Sequence, residues 1–230
     1  MKIRGVLFDV DSTLVDSRLA MDLALETIVR ELVDFAGRTE DLEKALWKSR
    51  QIDLEMHANL QYDRKMWWRR ICDELWPGVT LPGDLVENLT LEYWRIVCEK
   101  STLFPDSLET TRSLKSRGYR LGIVTDTDGT PSVKRWRLEK LEIKKWFDIV
   151  VIAGEDTPAV KPDPGPFLLA AAKLKLKPEE CLMVGDKIAT DVRGAKAAGM
   201  LAALVRRRES ENCAEADFVL ECLGDLLRFL

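Results

Sequence analysis

An α/β fold is predicted for this chain of 230 residues: a doubly wound parallel sheet core with an α-helical domain inserted after its first strand. Three observations predict it. Short apolar runs alternate with helical patterns from about residue 103 onward, as in successive βαβ units. The stretch from Arg18 to about Glu99 holds no comparable run and repeats its apolar residues at helical spacing. Acidic or hydroxyl residues directly follow several of the runs, where open α/β sheets keep their chemistry.

In order, residues 3–8 read as a buried strand. Leu23, Ile28, Leu32 and Phe35, then Leu42, Leu46 and Trp47, recur with the helical period. They open a four- or five-helix insertion, punctuated by Pro77-Gly78 and Pro82-Gly83. Residues 108–117 form a helix closed by Gly118, and 121–124 a strand. Residues 131–141 are helical, with Pro131 in the first turn. A strand at 149–153, a helix at 166–174 and a strand at 182–184 follow. Then come a helix at 189–198 closed by Gly199, a strand at 201–205, a short edge strand at 218–220 and a terminal helix at 223–230. The division expected is a core of residues 1–16 and 100–230 and a helical domain of residues 17–99.

Composition narrows the function. A hydrophobic content of 46% supports a packed core, and a formal charge of -4 gives no general attraction to nucleic acid or anionic lipid. No segment approaches the ~20 apolar residues of a membrane span. Met1-Lys2-Ile3-Arg4-Gly5 leads straight into a strand, without the apolar stretch and cleavage site of a signal peptide. Cys72, Cys98, Cys181, Cys213 and Cys222 are odd in number and form no close pair, as expected of reduced thiols in a cytoplasmic protein. The three arginines at 206–208, followed by acidic residues, read as a solvated loop.

The chemistry begins at Asp9-Val10-Asp11-Ser12-Thr13, two carboxylates at the end of a buried strand. This suits a carboxylate nucleophile, Asp9, with a second carboxylate, Asp11, to protonate a leaving alkoxide and later activate water. Downstream strand ends carry Thr125, Lys161 and the pair Asp186 and Asp191. Attack by a carboxylate on a phosphate monoester brings like charges together, costing about 4 kcal/mol per unit pair at about 4 Å and an effective dielectric near 20. Such a site needs cations. Lys161 supplies one, and Asp9 and Asp186 could hold Mg²⁺ with Asp191 positioning its waters. Thr125 offers a hydroxyl to a phosphoryl oxygen. Taken singly these residues are ordinary turns and caps; their order at successive strand ends makes a site.

The chain resembles the haloacid dehalogenase-like (HAD) hydrolases, in the branch with a helical cap after the first motif. Phe8-Asp9-Val10-Asp11-Ser12-Thr13-Leu14-Val15-Asp16-Ser17 is similar to the first motif, and Ile123-Val124-Thr125 to the second. Val160-Lys161-Pro162-Asp163-Pro164 is similar to the third, and Val184-Gly185-Asp186 with Asp191 to the fourth. The resemblance implies a Rossmann-like core and a cap that sets specificity. It implies an aspartyl-phosphate on Asp9, Asp11 as acid and base, and Thr125 and Lys161 holding the phosphoryl group. Mg²⁺ would take a carboxylate oxygen of Asp9, the backbone carbonyl of Asp11 and Asp186, with Asp191 beside it or bound through water. Ser12 stands where Gly is usual, and Asp126 where Asn is usual; the Asp126 backbone amide can still meet the substrate. Lys187 could offset the charge of Asp126.

The reading is a Mg²⁺-dependent phosphatase for a small phosphorylated metabolite, phosphoglycolate phosphatase-like, as monomer or homodimer, with no nucleic acid or membrane partner. A sugar-phosphate mutase and a non-catalytic phosphoryl-binding protein are the alternatives. Asp11 argues against a dehalogenase, and the lone His57 against a mutase. Arg18, Arg50, Arg64, Lys65, Arg69 and Arg70 are helical-domain candidates for an anionic leaving group, Arg18 first among them; most are expected on solvated faces. Trp47, Trp67, Trp68, Trp76 and Trp94 are expected mainly in the core, with one of the adjacent Trp67 and Trp68 at an interface.

Overall fold

The computed structural model describes residues 2–207 and 214–230. In chain order the elements are β1 (Gly5–Phe8), β2 (Val15–Asp16), α1 (Arg18–Ala36), α2 (Leu42–Ala58), α3 (Arg64–Leu75), α4 (Gly83–Lys100), β3 (Thr102–Leu103), α5 (Ser107–Ser116), β4 (Arg120–Asp126), α6 (Val133–Glu139), β5 (Ile149–Ala153), α7 (Gly165–Lys173), β6 (Cys181–Gly185), α8 (Arg193–Ala197), β7 (Leu201–Val205) and β8 (Phe218–Leu220). Two compact units result. Met1–Asp16, Thr102–Thr127 and Lys134–Leu230 make one; Ser17–Ser101 and Asp128–Val133 make the other.

The first unit is built on a parallel sheet of order β5-β4-β1-β6-β7-β8. The middle of each central strand is apolar because helices cover both faces. Alternation assigns the side chains. Val6, Phe8, Ile123, Leu182 and Val184 pack on one face with Leu114 of α5 and Leu138 of α6. Leu7, Val124 and Met183 pack on the other with Phe167 and Ala170 of α7 and Ala195 of α8. After β5 the chain crosses back past β1 to β6, so the strand order reverses beside β1. The C-terminal ends of β4, β1 and β6 meet at this switch point, where doubly wound sheets form their crevice.

A short antiparallel pair, β2 with β3, escaped the sequence reading because two residues carry no periodicity. Two other expectations are corrected. Residues 189–198 are not one α-helix: Ile188–Val192 is a π-helical turn that runs into α8. The terminal helix is a 3-10 segment, Leu223–Arg228.

In the second unit, α1 buries Ala24, Leu25, Ile28, Val29, Leu32 and Val33 along one stripe. They share a core with Val86, Leu89, Tyr93 and Val97 of α4. Leu23, Phe35 and Trp47, read as part of the apolar periodicity, are exposed. Leu23 stands five residues before Ile28, about 140° round the helix, so it misses the stripe. Trp67 and Trp68 are both fully buried, against the expected split. The Trp68 indole donates to Thr90 Oγ1 at 3.0 Å, and that of Trp67 to the Gln61 carbonyl at 3.2 Å. Neighbouring elements enclose α3 on both sides, which satisfies two indoles that diverge from adjacent positions.

No helix among the described residues is long and apolar enough to cross a membrane. Cys72, Cys98, Cys181 and Cys222 are free thiols; Cys213 lies outside the described residues, as does Arg208. Arg207 is not simply solvated. It donates to the Thr13 carbonyl at 3.0 Å and to both Asp106 oxygens, at 2.8 and 3.1 Å, over the Phe104 ring.

Candidate active site

β1 delivers Asp9 to the switch point. Its backbone amide donates to the Val184 carbonyl at 3.0 Å, which fixes the residue beside the end of β6. The chain then turns sharply, and the Thr13, Leu14 and Val15 amides all donate to the Val10 carbonyl. Ser12 sits in the turn with φ of 62°, the left-handed conformation that Gly adopts without strain.

Lys161 crosses from the β5–α7 loop into the same place. Its fully buried ammonium donates to Asp9 Oδ1 at 2.8 Å and to Asp191 Oδ1 at 2.6 Å. Burial alone would lower its pKa, but Asp191, Asp9 and Asp126 outweigh burial and hold it well above the usual lysine range. Thr125 is buried one residue before the end of β4. Asp126, at that end, accepts the Lys161 backbone amide on Oδ1 at 2.8 Å. Its side chain thus positions the loop that carries Lys161. Burial raises the Asp126 pKa, against the pull of Lys161. Burial would lower the Lys187 pKa, but the charges of Asp186, Asp9 and Asp191 outweigh it and raise it.

The carboxylates of Asp9, Asp186 and Asp191 offer oxygens within 4.8 Å of one another. The π-helical turn brings Asp191 in: its Oδ2 accepts the Lys187 amide at 3.1 Å while its Oδ1 meets Lys161. A Cβ at position 185 would run into the Asp191 carboxylate, so Gly185 makes the cradle possible. Burial pushes the Asp186 carboxyl up to about 8, and the charges of Asp191 and Asp9 push the same way against Lys187. Burial also raises Asp191, against Lys161. Among the described residues no Lys, Arg or His nitrogen lies within 4.0 Å of an Asp186 oxygen; the Thr13 hydroxyl donates to it at 3.5 Å. A convergent all-oxygen set with surplus negative charge fits a hard divalent cation such as Mg²⁺.

Asp11 turns elsewhere. Lys134 Nζ donates to its Oδ2 at 2.7 Å, Arg137 Nη2 to its Oδ1 at 2.7 Å, and Arg137 Nη1 to Oδ2 at 3.4 Å. Both cations are buried. Burial would raise the Asp11 pKa, but Arg137 and Lys134 outweigh it and hold the carboxyl well below the usual range. Both Asp11 carboxylate oxygens are thus engaged by cations, and its side chain is not part of the Asp9, Asp186 and Asp191 group. Lys134 and Arg137 were missed by sequence reasoning. Their signal was a basic pair three residues apart on α6, at the same helix face, which any solvated helix also carries.

The remaining sequence candidates belong to the helical unit. Arg18 is exposed in the first turn of α1 and is not part of the core cluster. Arg64 is neither solvated nor open: it is buried, donates to Asp53 at 2.9 Å and stacks on Trp67 at 3.4 Å from the ring centre. His57 packs edge-on to the same indole, 5.1 Å away, and lies 3.4 Å from an Arg64 nitrogen. Lys65 pairs with Glu87, and Arg70 with Glu55 and Glu74. Arg50 and Arg69 are exposed.

The model of the haloacid dehalogenase-like hydrolases matches residues 3–199. The glyceraldehyde 3-phosphate phosphatase of Methanopyrus kandleri is 33% identical, over 91% of this chain and 87% of its own. The phosphoglycolate phosphatase of Salmonella typhimurium is 35% identical, over 98% and 91%. Among solved structures, a HAD phosphatase from Thermococcus onnurineus superposes with a TM-score of 0.73 at 28% identity, covering 99% of this chain and 97% of that one.

Proposed function

The chain belongs to the haloacid dehalogenase-like hydrolase family, and on that premise we propose that it hydrolyses small-molecule phosphate monoesters through an aspartyl-phosphate on Asp9. One observation carries the reading: a single buried ammonium, Lys161, bridges Asp9 and Asp191 inside a carboxylate cluster at the sheet's switch point.

An Asp9 carboxylate oxygen attacks phosphorus as the ester P–O bond breaks. Lys161 and the Thr125 hydroxyl hold the phosphoryl oxygens and take up charge that grows there. Asp11, which Lys134 and Arg137 hold ionised in the resting site, leaves them, takes up a proton from solvent and gives it to the departing alkoxide. It then removes a proton from water, which attacks phosphorus and breaks the bond to Asp9, restoring both carboxyls. Asp9, Asp186, Asp191 and the Asp11 carbonyl would hold Mg²⁺, which when bound offsets the charge between nucleophile and phosphate. The helical unit we assign as the cap that selects the alcohol half, with Arg18 as its candidate contact. The place of the sole histidine, packed beside Arg64 and Trp67, speaks against the mutase alternative.

The test is turnover of an aryl phosphate with Mg²⁺, with and without chelator. Activity that chelation abolishes and Mg²⁺ restores supports the reading. No turnover by folded protein across a broad phosphate panel would leave a phosphoryl-binding protein in its place.

A further inference from the structure

Arg207 grips the turn that follows Asp9 and uses both edges of its guanidinium to do so. Nη1 and Nη2 donate to the two Asp106 oxygens at 3.1 and 2.8 Å, while Nη2 and Nε donate to the Thr13 carbonyl at 3.0 and 3.3 Å. The guanidinium lies over the Phe104 ring, 3.9 Å from its centre. Asp106 is itself fixed, because its Oδ2 also accepts the Leu223 amide at 2.7 Å. The next carbonyl of the turn, that of Leu14, accepts from the Phe104 amide at 3.0 Å and from the Ser107 hydroxyl at 2.8 Å. Two successive carbonyls are thus tied to the segment that leads into α5, and the first of them also to the chain leaving β7.

A mostly buried ion pair adds little stability by itself, since desolvation offsets its attraction. What a bidentate, stacked pair does supply is a fixed geometry. The residue held in place here reaches the carboxylate cluster. Thr13 is fully buried, and its hydroxyl donates to Asp186 Oδ1 at 3.5 Å, the outer limit of a hydrogen bond. At that length a slight displacement of the Thr13 backbone breaks the contact. Asp186 is thus oriented by a hydroxyl whose own position depends on Arg207.

We propose that Arg207 is a positioning residue for the metal end of the site: by holding the Thr13 carbonyl it keeps the Thr13 hydroxyl on Asp186, and so sets the affinity for the divalent cation. The inference rests on the Mg²⁺-dependent phosphatase reading above. The role of Arg207 is indirect, and no step of the chemistry runs through it. A lysine at 207 carries the charge without the fork, so it cannot hold Asp106 and Thr13 in the same way.

The experiment titrates Mg²⁺ calorimetrically into the whole, chelator-treated protein without substrate, and follows urea unfolding of the same samples without Mg²⁺. Folded Arg207→Met protein is expected to bind Mg²⁺ about tenfold more weakly, as is Thr13→Val, the scale of losing a group that orients a ligand. The double variant should bind no more weakly than Thr13→Val alone, since both changes remove one contact. Arg207→Lys should lose about threefold, and it carries the test if Arg207→Met does not fold. A merely structural role would lower the unfolding free energy and leave Mg²⁺ affinity unchanged in the folded variants, which overturns the proposal. So do losses that multiply in the double variant, because Arg207 would then act by a route other than Thr13. No Mg²⁺ binding by the parent protein strikes the metal reading, and the inference with it; a parent that binds Mg²⁺ beside Arg207 variants that bind it equally well strikes the role of Arg207 alone.

Discussion

Lys161 donates to Asp191 at 2.6 Å, and both side chains are almost completely withdrawn from solvent. The pair is more than an ion bridge, because the same ammonium also holds Asp9 at 2.8 Å. It sets the position of the Asp9 carboxylate relative to that of Asp191.

Replacing Lys161 by Met should therefore damage both chemistry and folding. It leaves buried carboxylates without their cation, a loss on the order of 3–5 kcal/mol for a buried pair. The kcat/KM for an aryl phosphate should fall by about a thousandfold. Lys161→Arg should also fail, by about a hundredfold, since a guanidinium fork does not fit a slot built for a point charge. Steady-state kinetics beside urea unfolding separate the two effects. Activity within threefold of the parent for either variant would remove Lys161 from the site.

Divalent cation should stabilise the protein through the carboxylate cluster. At about a hundred times its dissociation constant, Mg²⁺ would add about 2.7 kcal/mol to unfolding free energy. Asp186→Asn should abolish that increment, measured as the Mg²⁺-dependent rise in melting temperature. Gly185→Ala should shrink it, because the new methyl displaces the Asp191 carboxylate. An increment unchanged in both variants would place the cation elsewhere.

A structural carboxylate gives a prediction about pH. Asp217 accepts from Lys196 at 2.6 Å and from the Ala202 amide at 2.8 Å, tying the chain before β8 to β7. Burial would raise its pKa, but the Lys196 and Ala202 hydrogen bonds prevail and lower it. A depressed carboxyl binds its proton more weakly folded than unfolded. Its stabilisation is present above the unfolded value and fades as pH falls through the folded one. Asp217→Asn should cost about 1 kcal/mol near neutrality, with the gap to the parent closing below about pH 4. Urea unfolding at several pH values checks it; a gap that widens in acid would contradict the assignment.

Much of the core was legible because its strands are buried on both faces, so their apolar runs stand out, and because Asp9, Thr125, Lys161 and Asp186 each follow such a run. What was not legible depended on tertiary context. Asp191 was named beside Asp186 as a metal-site residue, but its contact with Lys161 had no local signal; the π-helical turn aims it there. Arg64 read as one basic residue among several, since nothing local tells a stacked, buried guanidinium from a solvated one. Lys134 and Arg137 lie more than 120 residues from Asp11. No local pattern connects them; the fold does, by setting α6 beside the loop after β1.

The most direct measurement is covalent. Rapid acid quench during turnover of a phosphate-labelled substrate should leave the label on the protein as an acid-stable, base-labile acyl phosphate. Peptide mapping should place it on Asp9, and folded Asp9→Asn protein should carry none. Turnover with no protein-bound label at any quench time, or a label that persists in Asp9→Asn, would contradict nucleophilic attack by this carboxylate.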